Sequence, residues 1–200
     1  MKKILVIGAS GVIGSAVVHQ LQQRHEVIQV GKSSGQYQAD ITDIAGVRAL
    51  LQKVGKIDGI VLTAGKLHFG PLQEMTPELF AVGLQDKLMG QVNVVLAAQD
   101  YLNDGGSFTL TSGIVGNESI LYGANATTVN AAIEGFARAA AIELKRGLRI
   151  NVVNPSVLQE SLEAYGPYFY GFEAVPAQKV ALAYSRSVEG AQTGQVYKVW

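Results

Sequence analysis

The feature that most constrains this chain lies at its start. Lys3-Ile4-Leu5-Val6-Ile7 runs directly into Gly8-Ala9-Ser10-Gly11-Val12-Ile13-Gly14, and a helical pattern follows to about residue 24. A β-branched apolar run, a glycine loop and a helix in immediate succession specify a βα unit whose turn has little room for side chains. Gly8 suits the tight turn, Gly11 permits close approach of a bound group, and Gly14 lets the helix settle against the strand. Around Ser10, Val12 and Ile13 the helix start offers unpaired N–H groups and a positive dipole end to an anion.

The same alternation continues along the chain. Further strands are predicted at Val27–Gly31, Ile57–Thr63, Gly106–Thr111, Arg149–Val153 and Gln195–Val199, with a short one at Gln36–Asp40. Helical patterns lie near 12–24, 43–54, 77–102, 124–145 and 176–188. Runs such as Ile60-Val61-Leu62 are apolar at consecutive positions, as strands covered on both faces must be. The expectation is a doubly wound parallel α/β sheet of Rossmann type, in one domain over residues 1–200. A length of 200 residues, 48% of them hydrophobic, suits one core of that size.

Charge and composition then remove function classes. Lysine plus arginine equals aspartate plus glutamate at 16 each, which provides no basic face for nucleic acid or an anionic membrane. No apolar run is long enough for a membrane span. Met1-Lys2-Lys3 leads straight into the first strand, so no secretory leader is expected and a cytoplasmic location is. With no cysteine there are no disulfides or thiolate sites, and His19, His25 and His68 lack ligand spacing, so no metal is expected.

A glycine loop on the first βα turn of such a chain points to a nicotinamide dinucleotide. An NAD(H) site would place a carboxylate at the end of the second strand, for the ribose 2′-hydroxyl. Between Val27 and Ala39 there is none; the segment reads Gly31-Lys32-Ser33-Ser34, in which Lys32 and Ser33 suit a 2′-phosphate. NADP(H) is therefore expected over NAD(H). Two other stretches stand out. Ala131, Gly135 and Ala139 form a small-residue face on one helix, for close packing on the sheet or against a second copy. Between Pro155 and Pro176, Tyr165, Tyr168, Phe169, Tyr170 and Phe172 crowd an irregular segment, which reads as a substrate lid or as a cover for the core.

Taken together these motifs resemble the short-chain dehydrogenase/reductase superfamily along the whole chain. Asp40-Ile41 is similar to the family's pair that holds the adenine. Thr63-Ala64-Gly65 resembles the end of the motif beneath the cofactor, which assigns Ala64 and Gly65 to the site. Asn154-Pro155-Ser156, followed by Val157, stands where the family has Pro-Gly beside the nicotinamide. The resemblance also implies a catalytic set of serine, tyrosine, lysine and asparagine. Here the lysine position is Asn130, the tyrosine position Ala126, the serine position Gly113 and the asparagine position Lys87. The pattern is similar to a bacterial subgroup, of undetermined function, that lacks the usual active-site residues.

Three side chains could stand in for that set: Lys87 through its long stem, Ser112 beside the serine position, and Tyr122 from the loop before Ala126. Each also has a plain structural reading, as a snorkelling lysine, a strand-end hydroxyl and loop packing. Two functions follow, an NADP(H)-dependent oxidoreductase with a non-standard active site, acting on a small molecule, or a catalytically inactive NADP(H)-binding sensor or partner-stabilising protein. A homodimer or homotetramer is expected, through the helices that carry Lys87 and Asn130.

Overall fold

A computed structural model describes residues 1–200. The strands are β1 (Lys3–Ile7), β2 (Glu26–Gly31), β3 (Tyr37–Gln38), β4 (Ile57–Leu62), β5 (Leu102–Thr111), β6 (Arg149–Pro155) and β7 (Val196–Val199). The helices are α1 (Val12–Leu21), α2 (Ile44–Val54), α3 (Pro77–Gly83), α4 (Gly90–Ala98), α5 (Ala124–Glu143), α6 (Leu162–Tyr165) and α7 (Ala177–Glu189). All seven strands are parallel in the order β3-β2-β1-β4-β5-β6-β7. Successive side chains of a strand face opposite sides. Ile4 and Val6 therefore pack with Val17, Leu21 and Val180 under α1 and α7, while Leu5 and Ile7 pack with Leu51, Val94 and Ile133 under α2, α4 and α5. This explains the unbroken apolar runs: each strand has two covered faces. The expected Rossmann-type α/β fold is present, and no helix is long and apolar enough to cross a membrane.

Several boundaries differ from the sequence reading. The single helix expected over 77–102 is α3, a π-helical segment at Leu84–Met89, α4 and a short 3-10 turn. Strand β5 starts at Leu102 rather than Gly106, with a register shift against β4 between Ile57 and Gly59. Predicted at Gln36–Asp40, β3 shortens because Asp40 turns the chain toward α2, its Oδ1 accepting from Thr42 N and Oγ1 at 3.0 and 2.8 Å. The face with Ala131 and Ala139 is exposed, and a Cβ on Gly135 would meet nothing within 4 Å; this face does not pack on the sheet.

The aromatic segment after Pro155 is pinned at its base. Leu158 bridges Val175, and Val175 N donates to Val157 O at 2.9 Å. Ser156 Oγ donates to Glu173 O at 2.7 Å. Above this base, Phe69 stacks at a tilt on Tyr165 and Tyr168, with centroids 5.9 and 5.4 Å away.

Candidate active site

The strand order reverses between β1 and β4, and the loops leaving that pair must part, opening a crevice at the strand ends. Two cavities occupy it. One, of about 170 Å³, is walled by Gly8, Lys32, Asp40, Ile41 and Ala64. The other, of about 410 Å³, lies under the aromatic segment, with Ile13, Leu67, Phe69, Val82, Lys87 and Asn130 among its walls. Gly65 and Lys66 line both, so the two form one groove.

Glycine is required at two points of this groove. A Cβ on Gly14 would collide with Gly8 O, since helix and loop touch there. Gly65 has φ +142°, and a Cβ on it would lie 2.7 Å from Lys87 Cβ. The N-terminal end of α1 has no side-chain cap and no acidic residue in its first turn, which leaves its donors open to an anion. A glycine cradle against an uncapped helix end is what a pyrophosphate needs, and the residues present fit a dinucleotide. At the far end Lys32 Nζ lies 2.6 Å from Asp40 Oδ2. That contact, together with hydrogen bonds from Thr42, pulls the Asp40 carboxyl down to about 2. Ser33 O accepts from Gln38 Nε2 at 3.2 Å, and Ser34 Oγ donates to Ser10 Oγ at 3.2 Å, tying the second βα turn to the glycine loop.

Beneath the larger cavity lies a buried polar network. The Lys87 ammonium, on the π-helical segment, donates to Asn130 Oδ1 at 2.7 Å and to Ser112 O at 3.1 Å. The two residues that exchange the family's lysine and asparagine positions therefore meet each other directly. Burial pushes the Lys87 ammonium down to about 8. Gln91 supports the same turn, its Nε2 donating to Lys87 O and Thr111 O at 3.2 and 3.0 Å while its Oε1 accepts from Thr111 N at 2.9 Å. Next to it, the buried Glu134 Oε1 accepts from Ser112 Oγ at 2.9 Å and Asn154 Nδ2 at 2.6 Å. Asn154 Nδ2 also donates to Asn117 Oδ1 at 2.8 Å, and Trp200 Nε1 to Asn154 Oδ1 at 3.1 Å.

Most of the residues singled out in the sequence come together here. Gly8, Asp40, Ile41, Lys32, Ala64 and Gly65 surround the smaller cavity; Ile13, Lys87, Ser112, Pro155, Ser156 and Val157 surround the larger one. Ser10, Gly11 and Val12 are exposed on the glycine loop and first turn of α1, and Ser33 is exposed beyond β2. Tyr122 does not join them. It has φ 65°, is 42% exposed and lines a separate depression with Pro71, Leu72 and Ile120. The hydroxyl proton of Ser112 is directed at Glu134, away from any carbonyl in the cavity. Sequence reasoning assigned no role to Glu134, Gln91, Asn117 or Trp200. Tyr165 and Phe169 of the aromatic segment do line the cavity, as a lid would.

Comparison with known proteins agrees with this geometry. A family model described as Enoyl-(Acyl carrier protein) reductase matches residues 8–196. Hydroxynaphthalene reductase arp2 of Aspergillus fumigatus is 28% identical over 153 residues, 72% of this chain and 56% of the relative. Tetrahydroxynaphthalene reductase PfmaG of Pestalotiopsis fici is 30% identical over 148 residues, 68% and 52% of the two. The chain thus spans about half the length of these relatives. Among solved structures, the protein lin1944 from Listeria innocua is 50% identical with a TM-score of 0.98, each chain covered fully. A small-chain dehydrogenase is 26% identical with a TM-score of 0.85, covering 98% of this chain and 95% of the other. With its parallel sheet, its glycine-lined crevice and a family match over nearly its whole length, the chain belongs to the short-chain dehydrogenase/reductase superfamily, a family of oxidoreductases that bind nicotinamide dinucleotides.

Proposed function

We propose that the protein is an NADP(H)-dependent oxidoreductase acting on a flat, largely apolar carbonyl compound or the corresponding alcohol. The observation that carries this reading is the single groove, whose two cavities share Gly65 and Lys66. Gly8, Ser10, Gly11, Val12, Ile13 and Gly14 would hold the pyrophosphate, Asp40, Ile41 and Ala64 the adenosine, and Gly65, Pro155, Ser156 and Val157 the nicotinamide end. Lys32 and Ser33 favour the 2′-phosphate: the ion pair of Lys32 with Asp40 is exposed and weakly held, so the ammonium can turn to a dianion. When bound, the dinucleotide supplies or accepts the two electrons of the reaction. The chain itself supplies an apolar pocket with aromatic walls at Phe69, Tyr165 and Phe169, suited to a ring system. Two relatives named for reduction of hydroxynaphthalenes, which are fused-ring compounds, point the same way.

The replacement of the usual catalytic positions by Gly113, Ala126 and Asn130 favours a second reading, a non-catalytic NADP(H)-binding sensor. One experiment separates them. NADPH binding is titrated by its fluorescence, and its oxidation is then followed with a panel of aryl ketones and quinones. Binding at low micromolar concentration with turnover supports the enzyme; binding without any turnover supports the sensor; no binding refutes both. We also propose that the exposed Ala131, Gly135 and Ala139 face of α5 seats a second copy of the chain, to be tested by analytical ultracentrifugation of Gly135→Gln, which should dissociate.

A further inference from the structure

The buried lysine of this groove, Lys87, comes from the position where the family pattern has asparagine, and the family's lysine position holds Asn130. Of the polar side chains on the larger cavity's wall, Ser112 and Ser156 have their hydroxyl protons committed to Glu134 and Glu173 O. Asn130 Oδ1 is occupied by Lys87. Lys66 is exposed at the rim, Ser161 is half-buried in the short turn after Leu158 and carries only an alcohol hydroxyl, and Tyr165 is 43% exposed on the lid. Lys87 is different. It is 8% exposed, reaches the wall from beneath, and is clamped by two acceptors that leave one N–H without a protein partner. Gly113 leaves open the space beside Asn130 that a Cβ would fill, in ordinary contact at 3.6 Å from its Nδ2.

We propose that Lys87 donates the proton to the substrate's carbonyl oxygen, with Asn130 and the Ser112 carbonyl as its positioning groups. This rests on the oxidoreductase reading above and specifies its acid. The step balances. The carbonyl carbon gains a C–H bond with the electron pair carried by the dihydronicotinamide, which is thereby oxidised. An Nζ–H bond of Lys87 breaks as the carbonyl oxygen takes the proton, leaving the alcohol and a neutral amine, which regains a proton from water in the cavity. A lysine can act this way only if its ammonium is far more acidic than a solvated one, and burial achieves that here. No carboxylate pairs with its ammonium, whose two acceptors are neutral oxygens. Asp86 on the same segment accepts from Lys66 N at 2.7 Å, Glu134 on α5 is occupied by Ser112 and Asn154, and the ends of β5 and β6 bring no charged side chain. Lys66 adds a like charge at the rim.

The test uses NADPH with 1-tetralone and related aryl ketones, over pH 6 to 10. In the reductive direction the wild type should lose activity as pH rises through about 8, because the reaction needs the protonated amine. Lys87→Met should lower kcat on the order of 10²–10⁴-fold and remove that limb, with NADPH affinity within about threefold of wild type. Lys87→Arg, which keeps the charge but cannot release a proton, should not rescue kcat. In ligand-free protein labelled on its lysines, NMR should show one side chain, absent from Lys87→Met, titrating near 8. The proposal is overturned if turnover persists in Lys87→Met, if Lys87→Arg restores it, if Tyr165→Phe instead removes the pH limb, or if Lys87 titrates as a solvated lysine does. A wild type that binds NADPH without turning over any ketone would sink the oxidoreductase reading itself, a different result from each of these.

Discussion

Replacing Glu134 by alanine takes the acceptor out of the buried network beneath the cavity. The Glu134 side chain is 6% exposed, and its Oε1 accepts from Ser112 Oγ at 2.9 Å and Asn154 Nδ2 at 2.6 Å. Hydrogen bonds to a charged acceptor contribute about 1.5–3 kcal/mol each. Asn154 keeps a second acceptor in Asn117, whereas the Ser112 hydroxyl loses the only one it has. Arg138 lies 3.9 Å away and is 59% exposed, so its share is small. Relief from burying a carboxylate offsets part of the loss. The net cost is about 3 kcal/mol for Glu134→Ala and about 1 kcal/mol for Glu134→Gln, which retains one acceptor oxygen. With an m-value of about 2 kcal/mol per molar urea, the alanine variant should unfold about 1.5 M earlier. Trp200, the chain's single tryptophan, donates to Asn154 at the end of this network, so its fluorescence reports both unfolding and local loosening. If both variants unfold within about 0.5 kcal/mol of wild type, with native Trp200 emission, the carboxylate does not organise the site.

Three other perturbations have definite signs. Lys32→Ala should weaken NADPH binding about tenfold and leave NADH nearly unchanged in fluorescence titrations, as loss of one charge-assisted contact implies. In the same variant the Asp40 carboxyl should rise from about 2 toward the ordinary range; the stability its lowered pKa provides is present above pH 4 and fades as pH falls toward 2. Gly65→Ala forces a Cβ to within 2.7 Å of Lys87 Cβ at φ +142°, and should destabilise by about 2–4 kcal/mol in thermal unfolding while displacing the π-helical segment. Because Lys87 has a lower pKa folded than unfolded, the unfolded chain holds its proton over pH 8 to 10.5 where the folded one releases it, so this group makes stability rise with pH across that window. Lys87→Met should flatten that rise in urea titrations at pH 8 and 10.

The site divides into a part that could be read directly and a part that could not. Gly8, Gly11, Gly14 and Gly65 act through their backbones, and Asp40, just past β3, and Pro155 and Ser156, at the end of β6, follow strands whose order sets the crevice; a strand pattern and a parallel sheet suffice to place them. Lys87 meets Asn130 across 43 positions of sequence, and Glu134 meets Ser112 and Asn154 across 22 and 20. Nothing in spacing announces such pairs, because they form only when α5 and the π-helical segment close over the ends of β5 and β6. Tyr122 shows the converse. It is near Ala126 in sequence, but a left-handed turn at φ 65° carries it into another depression.

What the amino-acid sequence determined by itself is therefore the frame: strands with two apolar faces, the helices between them, and a glycine loop that leaves backbone donors open to an anion. Those features follow from side-chain periodicity and from the missing Cβ, which act over a few residues. Tertiary structure alone decided which polar groups share the cavity wall, because the partners of a buried charge are set by how distant elements pack. That is how Lys87 and Asn130, each out of place against the family pattern, come to face one another at 2.7 Å.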